Sequence, residues 1–245
     1  MGGCPCQDRR HEVLADVGRD VPCGGTALRR SLIAVASLAL ITTACAPDPP
    51  AAVVGLIVDS CDPGIELGSG MVIAPGLALT AAHVVAGGDG ITVDQQGRRS
   101  AGTIVAFDPD MDLAYVAFDS GPSAIPTVAS AHVDAGDTGT AYVVREGEVT
   151  HVPVRVRRSI TLRTEDIYIQ GETLRPAFEL DADIRSGDSG GAVMIDGKVV
   201  AVISLSSNKY EARAYAIDAV RAADLIEQQR ASGQLGPDVD ITRCH

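Results

Sequence analysis

A serine flanked by glycines is the residue of this sequence best suited to covalent chemistry. Ser189 lies in the stretch RSGDSGGAV, between Gly187 and Gly190 and directly after Asp188. A nucleophilic serine needs a backbone that exposes its hydroxyl, and an acyl-transfer site needs backbone N–H groups aimed at a developing oxyanion. Glycine, aspartate and serine also build ordinary turns between strands. The stretch alone therefore leaves a turn and a nucleophile as alternatives.

A serine nucleophile requires a general base, most often histidine, and the sequence has five histidines. His83 lies in LTAAHVV, where an apolar stretch ends in small residues that let an imidazole lean over a cleft. His132, in a loop-like connection, and His151, on an alternating strand, are expected at the surface, and His11 and His245 lie near the two ends. His83 is the candidate base.

An aspartate that orients the base completes such a site. Asp112 opens the apolar stretch DLAYVAF, so that its carboxylate can be partly buried and still reach an imidazole. There it would fix the tautomer of His83 and stabilise the imidazolium that forms. Asp108 and Asp110 are rivals, although their loop position favours solvated turn carboxylates.

Composition excludes several other functions. The formal net charge of −12 argues against nucleic acid as a partner, because phosphate contacts need clustered lysine and arginine. Cys4, Cys6, His11 and Cys23 could in principle ligate zinc, but they lie ahead of a predicted cleavage point. We therefore expect neither a metal nor a cofactor.

The N-terminal part of the sequence predicts export. An apolar run over 31–44 follows Arg29 and Arg30 and is too short to span a bilayer, which takes about 20 residues. A basic region, a short apolar region and small residues before a cleavage point describe a secretory signal, and a faint twin-arginine resemblance accompanies it. Cys45 directly follows the small residues, as in a bacterial lipobox; an ordinary signal is the alternative.

The chain after this signal reads as many short strands separated by turn residues. We predict a presequence and signal over 1–45, a Pro-rich tether over 46–50, a first barrel over 51–125, and a second barrel with a closing helix over 126–245. One strand is expected at 165–170. In the helix, expected at 218–229, Val220, Ala223, Leu225 and Ile226 share one face.

Two cysteines, Cys61 and Cys244, remain after Cys45. In an exported chain, two cysteines predict one disulfide bond, here closing a long loop. Two free thiols are the alternative.

Three motifs together resemble a known family. TAAHVV, DMDLAYV and SGDSGGAV, in that order, resemble the triad motifs of trypsin- and chymotrypsin-like serine proteases. GSGMVI before His83 and YAID before the helix are similar to the bacterial HtrA-type branch. The resemblance, over about residues 51–230, implies two antiparallel six-stranded β-barrels with a C-terminal helix, protein or peptide substrates, and no cofactor. No PDZ module is expected after the helix.

The resemblance also assigns roles to single residues. It places the triad of His83, Asp112 and Ser189 in a cleft between the barrels, with the N–H groups of Gly187 and Ser189 as the oxyanion hole. Ser204 matches the serine whose hydroxyl supports the triad aspartate.

Two features of the family pattern leave questions open. Asp188 matches the aspartate that pairs with a freshly cut N-terminus in animal digestive proteases, and VVGL from Val53 faintly resembles an activation sequence. Asp183 matches the pocket position that lets trypsin hold arginine or lysine, but Ser206 replaces a pocket glycine. Arg213 either neutralises Asp183 in the pocket or forms a structural pair with it.

These observations favour an exported, lipid-anchored serine endopeptidase at the outer face of the membrane, or a secreted or periplasmic one. The rival hypothesis is a non-catalytic binding or scaffold domain that keeps a protease fold. The oligomeric state and the residue preferred before the scissile bond are not predicted.

Overall fold

The computed structural model of the protein describes residues 49–60, 64–122, 125–128 and 133–232. This part of the chain is built mainly from strands, so the predicted all-β fold with a C-terminal helix is confirmed. The elements are a 3-10 helix (Pro49–Ala52), the strands β1 (Val53–Ser60), β2 (Gly64–Ala74), β3 (Leu77–Thr80), β4 (Gly88–Gln95), β5 (Arg98–Asp108), β6 (Leu113–Phe118), β7 (Thr127–Val128), β8 (Thr138–Arg145), β9 (Glu148–Glu165), β10 (Glu172–Asp181), β11 (Ala192–Ile195), β12 (Lys198–Ser206) and β13 (Arg213–Asp218), and the helices α1 (Ala82–Val85) and α2 (Val220–Ser232).

The first six strands form a closed barrel in the order β1-β2-β3-β6-β5-β4, in which every pairing is antiparallel. Because the chain contains few aromatic residues, its core is built from small and β-branched side chains. Val54, Val72 and Val93 are all fully buried there. Such side chains fit the half-buried, pleated surface of a strand.

The remaining strands form a second sheet in the order β11-β8-β9-β10-β13-β12-β7. An additional antiparallel pairing of β11 with β12 closes a ring of six strands. The two-residue strand β7 pairs with the outer edge of β12 in parallel, an addition that was not predicted. The second six-stranded barrel is therefore present with one extra edge strand.

The closing helix α2 (Val220–Ser232) begins two residues after the predicted start at 218, and its buried face agrees with the prediction only in part. The carboxylate of Asp218 accepts a hydrogen bond from Val220 N at 3.0 Å, which satisfies one free N–H group of the first turn. Among the side chains of α2 that the structure describes, Ala222 and Leu225 are buried, Leu225 as predicted. Ala223, predicted on the buried face, is exposed, because the stripe that contacts the barrels runs through Ala222.

Hydrogen bonds connect the two barrels. Tyr115 Oη, from the first barrel, donates to Ala222 O in α2 at 2.6 Å, and the tyrosine is buried. Ser69 N in β2 donates to Ser189 O at 2.8 Å. The candidate nucleophile therefore lies where β2 of the first barrel meets the second sheet.

The strand predicted at 165–170 is instead the tip of a long β9–β10 hairpin, here called the hairpin tip (residues 166–171). Its alternating apolar residues suggested a strand, but the Asp166 carboxylate accepts hydrogen bonds from Tyr168 N (2.8 Å) and Gln170 N (3.2 Å). Aspartate commonly closes turns in this way. Ile169 adopts a φ of +55°, which ends the extended backbone.

Several predictions fall outside the described residues. The apolar run over 31–44, Cys45, Cys61, Cys244 and His132 all lie there, as does the first part of the tether. Pro49 and Pro50, which the sequence assigns to the tether, begin the 3-10 helix. Among the helices in the described ranges, none has the length and apolarity needed to cross a membrane.

Candidate active site

Ser189 occupies a turn between β10 and β11 whose flanking positions need glycine. Gly187 has a φ of +91° and Gly190 a φ of +83°, both in the left-handed region that glycine adopts without strain. A Cβ atom on Gly190 would lie only 2.1 Å from Ser69 O, so no other residue fits this position without a shift. The glycines let the turn pack against the first barrel while Ser189 remains part-buried at its surface.

Two backbone N–H groups, those of Gly187 and Ser189, are the predicted oxyanion hole. Ser69 holds the turn from the first barrel, since its Oγ donates to Gly187 O at 3.2 Å and its N donates to Ser189 O at 2.8 Å. In the described part of the chain, neither Gly187 N–H nor Ser189 N–H donates to another group. They are therefore available to an oxyanion.

Asp188, next to the nucleophile, is fully buried and ion-paired. Arg145, at the end of β8, donates from Nε to Asp188 Oδ1 at 3.0 Å and from Nη2 to Oδ2 at 2.7 Å. Arg145 Nη2 also donates to Asp183 O at 2.7 Å, and Arg185 N donates to Asp188 Oδ2 at 2.8 Å. One guanidinium thus fixes both ends of the loop that carries Gly187 and Asp188.

His83 lies in the short helix α1, which directly follows β3. Its neighbours Ala82, Val84 and Val85 are buried and anchor the helix, while the imidazole keeps 33% of its surface exposed. Nδ1 lies 2.9 Å from both Asp112 Oδ1 and Asp112 Oδ2, and His83 N donates to Oδ1 at 2.9 Å. This contact assigns the proton to Nδ1 and leaves Nε2 as the acceptor that faces away from the carboxylate.

Asp112, and neither of its rivals, contacts His83. Its backbone adopts a φ of +56°, which is strained for a residue with a Cβ. Ser204 Oγ, in β12, donates to Asp112 Oδ2 at 2.6 Å. Asp108 instead accepts a hydrogen bond from Met111 N at 2.9 Å, as expected for a turn carboxylate.

The buried pair shifts the pKa of both partners. Burial by itself lowers the pKa of His83, but the charge of Asp112 and its hydrogen bond outweigh this effect, so the pKa lies above 6.5. Burial by itself raises the pKa of Asp112, but the His83 charge and the hydrogen bonds from His83 and Ser204 hold it below 3.8. Asp112 is therefore ionised and favours the imidazolium.

Among the residues that the structure describes, no hydrogen bond joins the candidate base and the candidate nucleophile. Ser189 Oγ donates to Ser204 O at 3.4 Å, and within the described ranges no hydrogen bond joins it to His83. Catalytic hydrogen bonds are often loose in the absence of substrate and shorten when it binds.

The residues predicted to line a specificity pocket have different environments. Ser204 is buried against Asp112, as described above, whereas Ser206 is exposed. Asp183 is exposed and pairs with Arg185 at 2.6 Å, and the hydrogen bond from Arg185 lowers the pKa of Asp183.

The anticipated pairing of Arg213 with Asp183 is wrong. Arg213 Nη1 lies 2.9 Å from Glu179 Oε1, a buried carboxylate of β10. Arg157 and Arg158 also contact Glu179, at 3.5 and 2.6 Å. Because Glu179 and Arg213 lie on adjacent strands β10 and β13, the side chains meet across the sheet.

A cavity of about 260 Å³ opens beside His83. Its lining includes the apolar residues Ile167, Ile169 and Leu205. The remaining lining comprises His83, Asp112, Thr164, Glu165, Asp166 and Arg175. Within the described ranges, no group of three or more histidine, cysteine or carboxylate side chains could hold a metal ion.

Two arginines that the sequence did not single out contact this site. Arg145 binds Asp188, and Arg175 in β10 binds the loop that carries Asp112. Neither lies in a motif, because each acts on a partner distant in the sequence. Only Arg145 could have been anticipated, because a buried carboxylate at position 188 needs a cationic partner.

Comparison with known proteins places the chain among proteases. Residues 68–202 match the family model described as trypsin-like peptidase domain. Serine protease Rv3671c of Mycobacterium tuberculosis is 34% identical over 164 residues, which cover 64% of this chain and 40% of that protein. The probable periplasmic serine protease do/HhoA-like of Haemophilus influenzae is 30% identical over 178 residues, covering 69% of this chain and 38% of that protein. The chain thus spans about two fifths of the length of these relatives.

Solved structures of serine proteases are also similar to this chain. The crystal structure of the active form of the Rv3671c protease has a TM-score of 0.72 and 26% identity, covering 80% of this chain and 86% of that chain. The inactive form of the same protease has a TM-score of 0.64 and 27% identity, covering 74% and 89%. The HtrA-type protease AlgW with a tripeptide shares the fold, with a TM-score of 0.65 at 24% identity over 76% and 62% of the two chains.

Proposed function

The chain belongs to the trypsin-like peptidase family, and on that basis we propose that it is a serine endopeptidase acting through Ser189, His83 and Asp112. The observation that carries this proposal is the arrangement around Asp112. Both of its carboxylate oxygens lie 2.9 Å from His83 Nδ1, and Ser204 donates to one of them at 2.6 Å.

The mechanism follows from the proton positions. His83 Nε2 takes the proton of Ser189 Oγ as the oxygen attacks the scissile carbonyl carbon, and Asp112 stabilises the imidazolium. The N–H groups of Gly187 and Ser189 bind the oxyanion of the tetrahedral intermediate, where each such donor contributes roughly 3–4 kcal/mol. The imidazolium then protonates the leaving amine. Water, deprotonated by His83, hydrolyses the acyl-enzyme and regenerates the hydroxyl.

We infer that this site forms without a cleaved N-terminus. The Asp188 carboxylate, which would receive such an amine, is already bound by Arg145 and Arg185 N. Val53, the candidate activation terminus, lies within β1 opposite Met71.

The substrate that suits this cleft is an extended polypeptide with an apolar side chain near the scissile bond. Ile167, Ile169 and Leu205 offer such a side chain an apolar wall in the cavity beside His83. Glu165 and Asp166, which line the same cavity, disfavour acidic residues.

The proposed location is outside the cytoplasm, with Cys45 acylated and a disulfide between Cys61 and Cys244. The sequence supports these proposals through the apolar run over 31–44 and the lipobox-like cysteine. Two or three acyl chains anchor a protein firmly. Cys45→Ser should therefore release the protein from membranes or leave it unprocessed; unchanged membrane attachment with a processed mass would exclude the lipid anchor.

The activity is tested with Ser189→Ala and a fluorophosphonate, which modifies only an activated serine. We expect labelling of Ser189 in the wild type, and a loss of peptide hydrolysis by several orders of magnitude in the variant. Equal turnover by both proteins would refute the assignment.

A non-catalytic binding domain is the second candidate, because Ser189 Oγ donates to Ser204 O and makes no hydrogen bond to His83 among the described residues. A wild type that neither reacts with the fluorophosphonate nor hydrolyses any member of a broad peptide library would favour it.

A further inference from the structure

A buried arginine of the second barrel holds the loop of the first barrel that carries Asp112. Arg175 in β10 is 2% exposed. Its Nε donates to Asp110 O at 2.6 Å and its Nη2 to Pro109 O at 3.2 Å. The two acceptors lie two and three residues before Asp112.

The other hydrogen-bond partners of Arg175 are neutral. Nη1 donates to Thr164 Oγ1 at 3.0 Å, and Thr173 Oγ1 adds a hydrogen bond to Asp110 O at 3.2 Å. Glu165 and Asp166 line the same cavity as Arg175, but among the described ion pairs none includes Arg175. Burying a charge without an ionic partner is unfavourable, so a purely structural contact would be better made by a neutral side chain.

The loop needs to be held, because Asp112 has a strained backbone. Its φ of +56° directs the carboxylate at His83 N and Nδ1. Strained conformations persist when the surrounding structure fixes them, and they cluster at functional sites. The hydrogen bonds from Arg175 fix the two peptide groups that precede this turn.

The guanidinium also lies near the imidazole. Arg175 and His83 line the same cavity, together with Glu165 and Asp166 of the hairpin. Asp112 and Glu66 of β2 raise the pKa of His83, whereas Arg175 lowers it. Among these described charges, Arg175 is the cation that opposes protonation of the base.

We propose that Arg175 is a positioning residue for the active site: it fixes the Asp112 loop across the barrel interface and places a positive charge beside His83. This proposal rests on the proposed function. It predicts separable effects, because lysine keeps the charge but not the two-carbonyl contact, and methionine loses both.

The test compares Arg175→Met, Arg175→Lys and the control Arg163→Met in the full chain. Arg163 lies on the same hairpin but is 68% exposed. The measurements are kcat and KM for a peptide substrate, and the pH dependence of the rate at which a fluorophosphonate inactivates Ser189.

We expect Arg175→Met to lower kcat roughly 10- to 100-fold with little change in KM, because the orientation of Asp112 is lost. The acidic limb of its pH profile should shift, because loss of the positive charge raises the pKa of His83 while a loosened Asp112 contact lowers it. Arg175→Lys keeps the charge but not the two-carbonyl contact, so it should lower kcat and leave the limb at or below that of the wild type. Arg163→Met should leave both unchanged.

An unchanged pH profile and kcat in folded Arg175→Met would overturn the proposal. If Arg175→Met does not fold, Arg175→Lys tests the proposal instead. A wild-type kcat in Arg175→Lys would overturn the proposal. A loss of activity no larger than the unfolded fraction measured by circular dichroism would overturn it as well. A wild type that does not react with the fluorophosphonate contradicts the proposed function instead, so the two failures are distinguishable.

Discussion

The pair of Arg145 and Asp188 makes a strong prediction about catalysis, because a buried carboxylate beside the nucleophile depends on one guanidinium. Asp188 is fully buried, and Arg145 binds both of its oxygens, at 3.0 and 2.7 Å. Removing one partner of a buried pair costs about 3–5 kcal/mol, because the other charge stays buried without compensation. Since the Arg145 side chain is 22% exposed, we take the lower value.

Arg145→Met should therefore favour conformations of the 183–188 loop in which Asp188 reaches solvent and the proposed oxyanion hole is lost. A free energy of about 3 kcal/mol corresponds to a decrease of roughly 100-fold in the active population. The assay is the rate of fluorophosphonate labelling of Ser189, with the folded fraction followed by circular dichroism. Arg185→Met is the matched control, because Arg185 pairs with Asp183 at the exposed surface of the same loop. It should change the rate by about twofold or less.

The double variant Arg145→Met with Asp188→Asn separates the charge from other effects. Because this variant leaves no charge unpaired at the site, its labelling rate should be at least roughly tenfold higher than that of Arg145→Met. A rate within about threefold of wild type for Arg145→Met, or equal losses in Arg145→Met and Arg185→Met, would refute this account of the loop.

Three further outcomes are expected. The pKa of His83 lies above 6.5, so the acidic limb of the kcat/KM profile should lie above that pH. Activity should fall as the pH is lowered through this limb, because the imidazole gains a proton. A limb below about pH 6 would contradict the Asp112 contact. Gly190→Ala should lower the free energy of unfolding in urea by about 3 kcal/mol or more, because its Cβ meets a backbone oxygen at 2.1 Å. Gly197→Ala, at φ +73° with nothing within 4 Å, should cost only about 1 kcal/mol. Tyr115→Phe removes the hydroxyl that donates to Ala222 O and should cost about 1 kcal/mol; an unchanged urea midpoint would disprove that role.

The fold was predictable from the sequence because its determinants are local. Short runs of valine, alanine and isoleucine between turn residues predict strands, and three ordered motifs specify the family. The same motifs predicted the residues that meet at the candidate site, although the catalytic roles of Ser189, His83 and Asp112 stay predictions. The additional parallel strand β7 was missed, since a two-residue pairing leaves no periodic pattern.

The remaining features depend on partners that are distant in the sequence. Arg213 pairs with Glu179 on the adjacent strand. The positions of Arg213 and Asp183 in the sequence could not reveal this, which is why the expected pairing of these two residues was wrong. The segment 165–170, expected to be a strand, contains a turn because the Asp166 carboxylate accepts hydrogen bonds from Tyr168 N and Gln170 N. Arg175 lies in the unremarkable stretch LRPAFEL, and only its burial shows that it acts on the loop before Asp112.

The hydrogen bonds between the two barrels determine when the chain could become active during its synthesis. Ser204 and Asp112 are separated by 92 positions, and Ser69 and Gly187 by 118. Domains fold as the chain emerges from its N-terminal end, and contacts between distant residues form late. A chain with only its first barrel folded has the proposed base and its aspartate, but it lacks both the proposed nucleophile and the hydroxyl that donates to the aspartate. Under the proposed mechanism, hydrolysis would therefore begin only after β12 has joined the fold, and an unfinished polypeptide would not cleave itself or its neighbours.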